Sequence, residues 1–315
     1  MKFRTDTAPI THTGIHITHS DSVVMIGSCF TDNIGSLMRA DLLDVTVNPF
    51  GPLYNPASIA AAVRRLAEGH EIKEIELVER EGRFHSWDFH SRYSGERPAE
   101  ALDNMNASIM KAHEALQKAT TVILTLGTTH VYRHRDADRV VANCHKFPAG
   151  EFEERNLTLN ECTGLLLETI DTLRSMNKDV RVLFTVSPLR YTAYGMHANT
   201  LMKATLHIAI EAVMAQREGT EYFPAFEIMM DDLRDYRFYA PDMKHPTQQA
   251  VEYIYEIFSQ SYYDSATQAL AEKARALTRR LAHRSLSGAE TPTDSIIADF
   301  LKQYPQLSHT IACYK

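Results

Sequence analysis

Two motifs far apart in the sequence carry residues suited to nucleophilic catalysis. Ser28 follows Gly27 at the end of an apolar segment, and Asp242 precedes His245 by three residues in a polar turn. A carboxylate at that spacing can hold one imidazole nitrogen, which leaves the other nitrogen to take a proton from a hydroxyl. The residue types therefore predict a triad of Ser28, His245 and Asp242 that works through an acyl-enzyme.

Each motif also has a structural explanation. Ser28 at a strand-to-helix turn suits a helix N-cap, and Cys29 beside it suits buried packing, although its thiol is a second candidate nucleophile. The Asp-x-x-His spacing is common in turns. The catalytic hypothesis therefore requires the two motifs to meet in space.

The elements that must bring them together form a βα pattern. Short apolar runs rich in β-branched residues alternate with helical periodicity, which predicts helices around a mostly parallel sheet. The predicted strands are Val23–Ile26, Asp44–Val47, Thr121–Leu126, Val180–Val186 and Glu221–Pro224. Ligands bind beyond the carboxyl ends of such strands, so we expect the loop after each strand to contribute to one site.

We predict one α/β/α sandwich of about five parallel strands over residues 1–264. Insertions near residues 75–100 and 130–155 are expected to cover the active-site end. Residues 265–315 are predicted to be a helical appendage packed on this domain, with a linker at Ser285–Asp294. Its basic residues, including Arg275, suit a solvated helix face or, as a minority interpretation, contact with a polyanion or an acidic partner.

Longer strings of residues resemble the GSCFA family over nearly the whole chain. The opening motif is Gly27–Phe30, followed by Thr31 where the family has Ala. The resemblance continues through Asn48–Gly51, Leu53–Pro56 and Asp242–Pro246. Each string is short, but together they are specific.

That family is similar to the SGNH or GDSL-like hydrolases, which implies a flavodoxin-like three-layer fold. The resemblance implies Ser28 as nucleophile, His245 as base, Asp242 as its orienting carboxylate and the Gly51 N–H as an oxyanion donor. Those hydrolases usually have Gly-x-Asn after the third strand.

This chain has Gly127-Thr128-Thr129 at that place. Loss of one oxyanion donor lowers the rate by about 10²–10³-fold. We therefore expect Thr128, Thr129 or Asn143 to replace the amide, or the activity to be low.

Other polar residues are candidates for the wall of the pocket. His90, Asn143 and His145 are expected to line it or, alternatively, to bond one another and hold the loops. Arg190, with His197 and Lys203, suits an anionic part of a substrate or an ordinary charged surface. The spacing of His85, Asp88 and His90 suggests a metal site only weakly, because alternate positions of a hairpin face opposite sides.

The composition of the chain disfavours several classes of function. The chain has 315 residues and a net charge of −7, which disfavours binding to nucleic acid or to anionic membranes. No apolar run is long enough for a membrane span, and the first residues lack a signal-peptide core, so a cytoplasmic location is predicted. The four cysteines form no CxxC pair, so neither a disulfide framework nor a four-cysteine zinc site is expected.

The sequence thus predicts a serine esterase or acyl hydrolase that needs no cofactor. Its expected partner is a small-molecule or carbohydrate ester, such as a sugar with a small acyl group. Two alternatives remain open: an acyltransferase with the same triad, and a non-catalytic ligand-binding module on a hydrolase fold.

Overall fold

The computed structural model describes residues 6–7, 10, 14–282 and 293–314. The strands are β1 (Ser22–Gly27), β2 (Asp44–Val47), β3 (Leu77–Arg80), β4 (Arg83–Ser86), β5 (Thr121–Leu126), β6 (His130–His134), β7 (Arg139–Val141), β8 (Phe152–Asn156), β9 (Arg181–Val186) and β10 (Thr220–Phe223). The helices are α1 (Cys29–Ala40), α2 (Pro56–Glu68), α3 (Pro98–Lys118), α4 (Leu159–Met176), α5 (Met196–Met214), α6 (Ala225–Glu227), α7 (Gln248–Tyr262), α8 (Ser265–Ala282), α9 (Thr293–Gln303) and α10 (Ser308–Tyr314).

Five parallel strands form the central sheet, in the order β10-β9-β5-β1-β2. Numbered along the chain, these five strands lie in the order 2-1-3-4-5, which is the flavodoxin-like arrangement. The predicted parallel sheet is confirmed. Its strand order reverses between β1 and β5, and such a switch point opens a crevice at the carboxyl ends of the strands.

Alternating residues of the sheet bury both of its faces. Val24 and Ile26 of β1 join a core with α2, α3, α4 and α5, whereas Val23 and Met25 join a second core with α1 and α7. Successive side chains of a strand point to opposite faces, so a strand that is apolar throughout must be covered on both sides. The three-layer prediction is confirmed.

Two antiparallel insertions stand beside this sheet. Strands β3 and β4 form a hairpin, and β6 pairs with both β7 and β8. Trp87 joins the two insertions: it packs against Val141 and Phe152, and its carbonyl oxygen accepts a hydrogen bond from the Ala142 N–H at 2.8 Å. Both insertions fall in the segments where the sequence predicts them.

The C-terminal helices pack against the start of the domain. Leu42 shares an apolar cluster with residues of α8, α9 and α10. Arg275 of α8 forms an ion pair with the fully buried Asp41, with 2.7 Å between Nε and Oδ1. The Tyr255 hydroxyl donates a hydrogen bond to Asp41 at 2.6 Å. Burial raises the pKa of Asp41 to about 6.

The ion pair with Asp41 places Arg275, one of the basic residues of the appendage, in the contact with the domain. Lys273, Arg279 and Arg280 are exposed, as a solvated face requires. Arg284 and most of the predicted linker, residues 285–292, lie outside the described residues. The domain boundary at residues 264/265 stays a prediction.

A buried lysine ties together the ends of two central strands. Lys203 of α5 is 2% exposed, and its ammonium group donates to the carbonyl oxygens of Gly127 at 2.8 Å and Ser187 at 2.7 Å. Burial lowers the pKa of Lys203 to about 7. This placement does not support the expectation that Lys203 binds an anionic substrate group, because its donors are used inside the fold.

We expect Arg275→Met to lower the free energy of unfolding by about 2 kcal/mol at about pH 8, because it leaves the Asp41 carboxylate buried without its cation. The loss should shrink at about pH 5, where Asp41 is largely protonated and has no charge to pair. Urea unfolding at both pH values measures this, with Arg280→Met as an exposed control. An equal loss at the two pH values would contradict the role assigned to the ion pair.

Lys203 should make stability rise with pH. Because its pKa is lower in the folded chain, the unfolded chain binds more protons between about pH 7 and about pH 10. Over that range the wild type should gain on the order of 1 kcal/mol per pH unit relative to Lys203→Met. Denaturant unfolding at several pH values tests this, and the exposed Lys118→Met provides the comparison. A constant difference between wild type and Lys203→Met would show that the buried lysine does not titrate in this range.

Candidate active site

A cavity of about 720 Å³ opens at the carboxyl ends of β1, β5 and β9, at the switch point of the sheet. Its wall contains Ser28, Cys29, Tyr54, Asn55, His90, Thr128, His130, Tyr132, Asn143, Phe147, Phe152, Glu154, Ser187, Arg190, Tyr191, Lys244 and His245, among others. The two motifs that the catalytic hypothesis requires therefore meet at one cavity.

Ser28 sits on a turn that only glycine permits before it. A Cβ at Gly27 would lie 2.4 Å from the Thr125 carbonyl oxygen, so β1 and β5 can approach here only without a side chain. The Ser28 N–H donates to that oxygen at 3.2 Å, and the Ser28 Oγ accepts from the Phe30 N–H at 3.3 Å. Ser28 is thus the N-cap of α1 and also part of the cavity wall.

Asp242 and His245 form a hydrogen-bonded pair. The Nδ1 of His245 lies 2.5 Å from Oδ2 of Asp242. The other carboxylate oxygen accepts from the His245 and Lys244 N–H groups at 3.0 and 2.9 Å. These bonds hold the pKa of Asp242 well below its usual range. An ionised Asp242 keeps the Nδ1 proton in place, so Nε2 is the nitrogen that can accept a proton.

The loop that carries this pair is held against the loop after β9. The Arg190 N–H donates to the Lys244 carbonyl oxygen at 3.2 Å, and the Ala240 N–H donates to the His245 carbonyl oxygen at 2.7 Å. His245 is half exposed at the mouth of the cavity. Among the hydrogen bonds of the described residues, none joins the Ser28 hydroxyl to His245.

The loop after β5 does not offer the free hydroxyls that the sequence predicts. The Thr128 hydroxyl donates to Met202 Sδ at 2.9 Å and accepts from the His130 N–H at 3.0 Å. The Thr129 hydroxyl lies 3.4 Å from Asn156 Oδ1, and Thr129 is not among the described residues of the cavity wall. This arrangement does not support either threonine as the substitute for the missing Asn.

Gly51 is required for a different reason from the one predicted. Its N–H donates to the Asn48 carbonyl oxygen at 2.8 Å, which leaves no donor for an oxyanion. Its φ is +83°, and a Cβ there would lie 2.2 Å from the Cβ of His90. The geometry therefore corrects the oxyanion role expected of Gly51: the glycine lets the chain turn beside His90.

His145 holds loops together and is not among the described residues of the cavity wall. Its ring stacks on His85 with 4.4 Å between centroids. Its Nε2 lies 2.8 Å from the Ser86 carbonyl oxygen, and its Nδ1 lies 3.1 Å from the Ser91 hydroxyl. Burial lowers the pKa of His145 to about 4, so the ring is neutral near pH 7. For this residue, the alternative of loop stabilisation is the one that the structure favours.

Asn143, His90 and Arg190 line the cavity. The Asn143 side-chain oxygen accepts from the His145 N–H at 2.9 Å, and His90 Nδ1 accepts from the Arg92 N–H at 3.2 Å. The Arg190 guanidinium lies over the Tyr239 ring at 5.2 Å. No carboxylate of the described residues forms an ion pair with Arg190, so the cavity has a cation at its edge.

Sequence reasoning missed the far wall of the cavity. Tyr194 donates a hydrogen bond to Glu154, and its hydroxyl lies 3.0 Å from His130 Nε2. His130, Glu154 and the rings of Tyr132, Phe147, Phe152 and Tyr191 form that wall, whereas Tyr194 is not among its described residues. These residues lie on the second insertion and on the loop after β9, too far apart in the chain for any local motif to show the cluster.

Neither a thiol nucleophile nor a metal is favoured by the described residues. Burial raises the pKa of the Cys29 thiol, so this thiol is protonated near neutral pH. No group of three or more potential metal ligands is found in the described part of the chain. Within the same ranges, no helix is long and apolar enough to cross a lipid bilayer.

The solved structures that match this chain include esterases. A family 3 carbohydrate esterase of Clostridium thermocellum is 11% identical over 80% of this chain and 98% of its own, with a TM-score of 0.39. The acetyl xylan esterase Est2A of the rumen bacterium Butyrivibrio proteoclasticus is 9% identical over 86% of this chain and 66% of its own, with a TM-score of 0.38. Likenesses this distant carry no inference about activity.

Comparison of the sequence with protein families identifies the family of this chain. No curated protein matches the chain. The GSCFA family matches residues 22–258, which include both Ser28 and the Asp242–His245 pair. The chain belongs to the GSCFA family.

Proposed function

We propose that the protein is a serine hydrolase that cleaves esters, with Ser28 as nucleophile, His245 as general base and Asp242 as its orienting carboxylate. One observation carries the proposal: Ser28 and the hydrogen-bonded Asp242–His245 pair reach the same cavity from opposite ends of the domain sequence. The cavity lies at the switch point of the sheet, where folds of this class bind ligands.

The reaction follows from the proton positions. His245 Nε2 takes the proton of the Ser28 hydroxyl as Oγ attacks the ester carbonyl carbon. The imidazolium then gives this proton to the leaving alcohol as the carbon–oxygen bond breaks, and an acyl-enzyme remains. Water, activated by the same nitrogen, releases the acid and restores Ser28. Asp242 stays ionised throughout and stabilises the imidazolium.

The Ser28 side chain must reorient before attack. Its Oγ now accepts from the Phe30 N–H at 3.3 Å, a long hydrogen bond, and it has no hydrogen bond to His245. Catalytic hydrogen bonds are often long or absent without substrate and tighten only in the complex. The proposed reaction therefore requires Oγ to give up the capping contact and to approach Nε2.

The cavity wall supports an ester substrate with a flat or ring-shaped part. Tyr132, Phe147, Phe152 and Tyr191 offer broad apolar faces, and His130 and Glu154 add polar groups beside them. Tyrosine combines an apolar ring with a polar edge, which suits a sugar ring carrying hydroxyls. An acylated carbohydrate therefore fits this wall.

The second candidate function is a ligand-binding module without catalysis. It is favoured by the absent Ser28–His245 hydrogen bond and by the absence of Asn from the Gly127-Thr128-Thr129 loop. A module of this kind would bind an ester in the same cavity and release it unchanged.

An activated serine should react with a fluorophosphonate probe. We expect one label per chain in the wild type and none in Ser28→Ala, because the hydroxyl is the attacking group. Labelling should also be lost in His245→Ala, because the proton acceptor is gone. Intact-mass spectrometry measures the label, and the exposed Ser36→Ala on α1 is the matched control. A folded wild type that does not label would favour the binding module. Loss of label in Cys29→Ala alone would assign the reaction to the thiol.

Removal of the Asp242 charge should affect turnover more than binding. We expect Asp242→Asn to lower kcat for p-nitrophenyl acetate by at least about 10²-fold, because the imidazolium loses its counter-charge and Nδ1 its fixed acceptor. Asp231→Asn, an exposed carboxylate that pairs with Arg234, should keep the wild-type kcat. Equal kcat values for both variants would remove Asp242 from the mechanism.

A further inference from the structure

The tetrahedral intermediate of the proposed reaction needs donors for its oxyanion, and several donors around Ser28 and in the neighbouring loops are engaged elsewhere. The N–H groups of Ser28 and Gly51 donate to backbone oxygens, and the Thr128 hydroxyl donates to Met202. A buried site without any donor would stabilise the oxyanion poorly. Another group in the wall must supply the hydrogen bond if the site is catalytic.

The segment Leu53–Asn55 runs directly between the two strand ends that frame the cavity. The Leu53 N–H donates to the Gly27 carbonyl oxygen at 2.8 Å, next to Ser28. The N–H groups of Gly127 and Thr128 both donate to the Tyr54 carbonyl oxygen, at 2.8 and 2.9 Å. Asn55 therefore comes directly after Tyr54, which is hydrogen-bonded to the Gly127-Thr128-Thr129 loop. On this loop the SGNH hydrolases have their Asn.

The side chain of Asn55 has a fixed orientation. Its Oδ1 accepts from the Ser58 N–H at 2.8 Å, as the N-cap of α2. A backbone N–H can donate only to the oxygen of the amide, so the amide nitrogen is the other terminal atom. Asn55 is 7% exposed and lines the cavity together with Ser28. No described residue accepts a hydrogen bond from Asn55 Nδ2.

We propose that Asn55 Nδ2 is the side-chain donor to the oxyanion, in place of the Asn that is missing from the Gly127-Thr128-Thr129 loop. The inference rests on the proposed function. Asn55 gives a hydrogen bond to the oxygen that becomes negative when Ser28 attacks, and it exchanges no proton. Asn55 thereby joins Ser28 and His245 as a catalytic residue.

Two helix N-termini reinforce this donor. Ser28 caps α1 and Asn55 caps α2, and both caps lie in the wall of one cavity. The N-terminus of a helix carries a partial positive charge, so both helices favour an anion between them. Because the cap and Pro56 at the first turn hold Asn55 in place, its donor needs little reorganisation when the charge develops.

Two substitutions at Asn55 separate the donor role from the capping role. Asn55→Ser and Asn55→Asp both retain an oxygen for the Ser58 N–H, and both residue types cap helices about as well as Asn. If Asn55 only caps α2, both variants should resemble the wild type. If it donates to the oxyanion, both lose the amide donor: the serine hydroxyl is shorter than the amide and cannot take the place of Nδ2, and an ionised Asp has no proton to give and places a negative charge beside the oxyanion.

The experiment measures p-nitrophenyl acetate hydrolysis, inhibition by an alkyl trifluoromethyl ketone and the melting temperature. We expect Asn55→Ser to lower kcat by about 10²–10³-fold with a KM change below about threefold, and Asn55→Asp to lower kcat at least as much. The ketone forms a hemiketal oxyanion on Ser28, so its affinity should fall in parallel with kcat. Thr158→Ala, which removes the cap of α4, should lower the melting temperature without changing kcat.

Comparison with Ser28→Ala separates failure of the Asn55 inference from failure of the hydrolase proposal. If Ser28→Ala is inactive but both Asn55 variants keep kcat within about threefold of the wild type, Asn55 is not the donor. A change in KM alone would likewise overturn the inference, because it would indicate substrate binding rather than charge stabilisation. If the wild type hydrolyses the ester no faster than Ser28→Ala, the hydrolase proposal fails and the Asn55 inference fails with it.

Discussion

Backbone hydrogen bonding at the carboxyl ends of β1 and β5 is the constraint on which the site depends. The Gly27 carbonyl oxygen accepts from Leu53, and the Tyr54 carbonyl oxygen accepts from Gly127 and Thr128, so one short segment fills the gap where the strand order reverses. Buried backbone groups must be paired, and this segment pairs them. Because it is held on both sides, Ser28 on one strand end and the loop after the other strand keep a fixed separation. A side chain at Gly27 would push the two strand ends apart.

The buried side chain of Lys203 also holds the ends of neighbouring strands in place. Lys203 bonds to the carbonyl oxygens of Gly127 and Ser187, which links the ends of β5 and β9. A buried ammonium is costly unless its protons are bonded, and here two carbonyl oxygens accept them. One side chain thus pairs two carbonyl oxygens at the ends of neighbouring strands.

The sequence predicts much of this architecture, because β-branched apolar runs and helical periodicity report burial directly. The parallel strands and the two insertions were predictable for that reason, as were the chain positions of Ser28 and the Asp242–His245 pair. Strand β8 was not, since only Phe152 of its five residues is buried and the rest read as a charged loop. The burial of His145 and Lys203 depends on partners distant in sequence, so no local pattern could indicate it. Asn55 did carry a signal: Asn before Pro56 is typical of a helix start.

A cap residue is well suited to a second task because capping uses only part of its side chain. Asn55 binds the helix through its oxygen and keeps both amide protons available, whereas a serine or threonine cap has a single hydroxyl proton to give. An amide on an ordinary loop would need further contacts to fix its orientation. At the start of α2 the backbone itself fixes that orientation, since only the amide oxygen can accept from Ser58. A donor held in this way is as rigid on the segment before α2 as it would be on the loop after β5. The absence of Asn from the Gly127-Thr128-Thr129 loop is therefore compatible with catalysis.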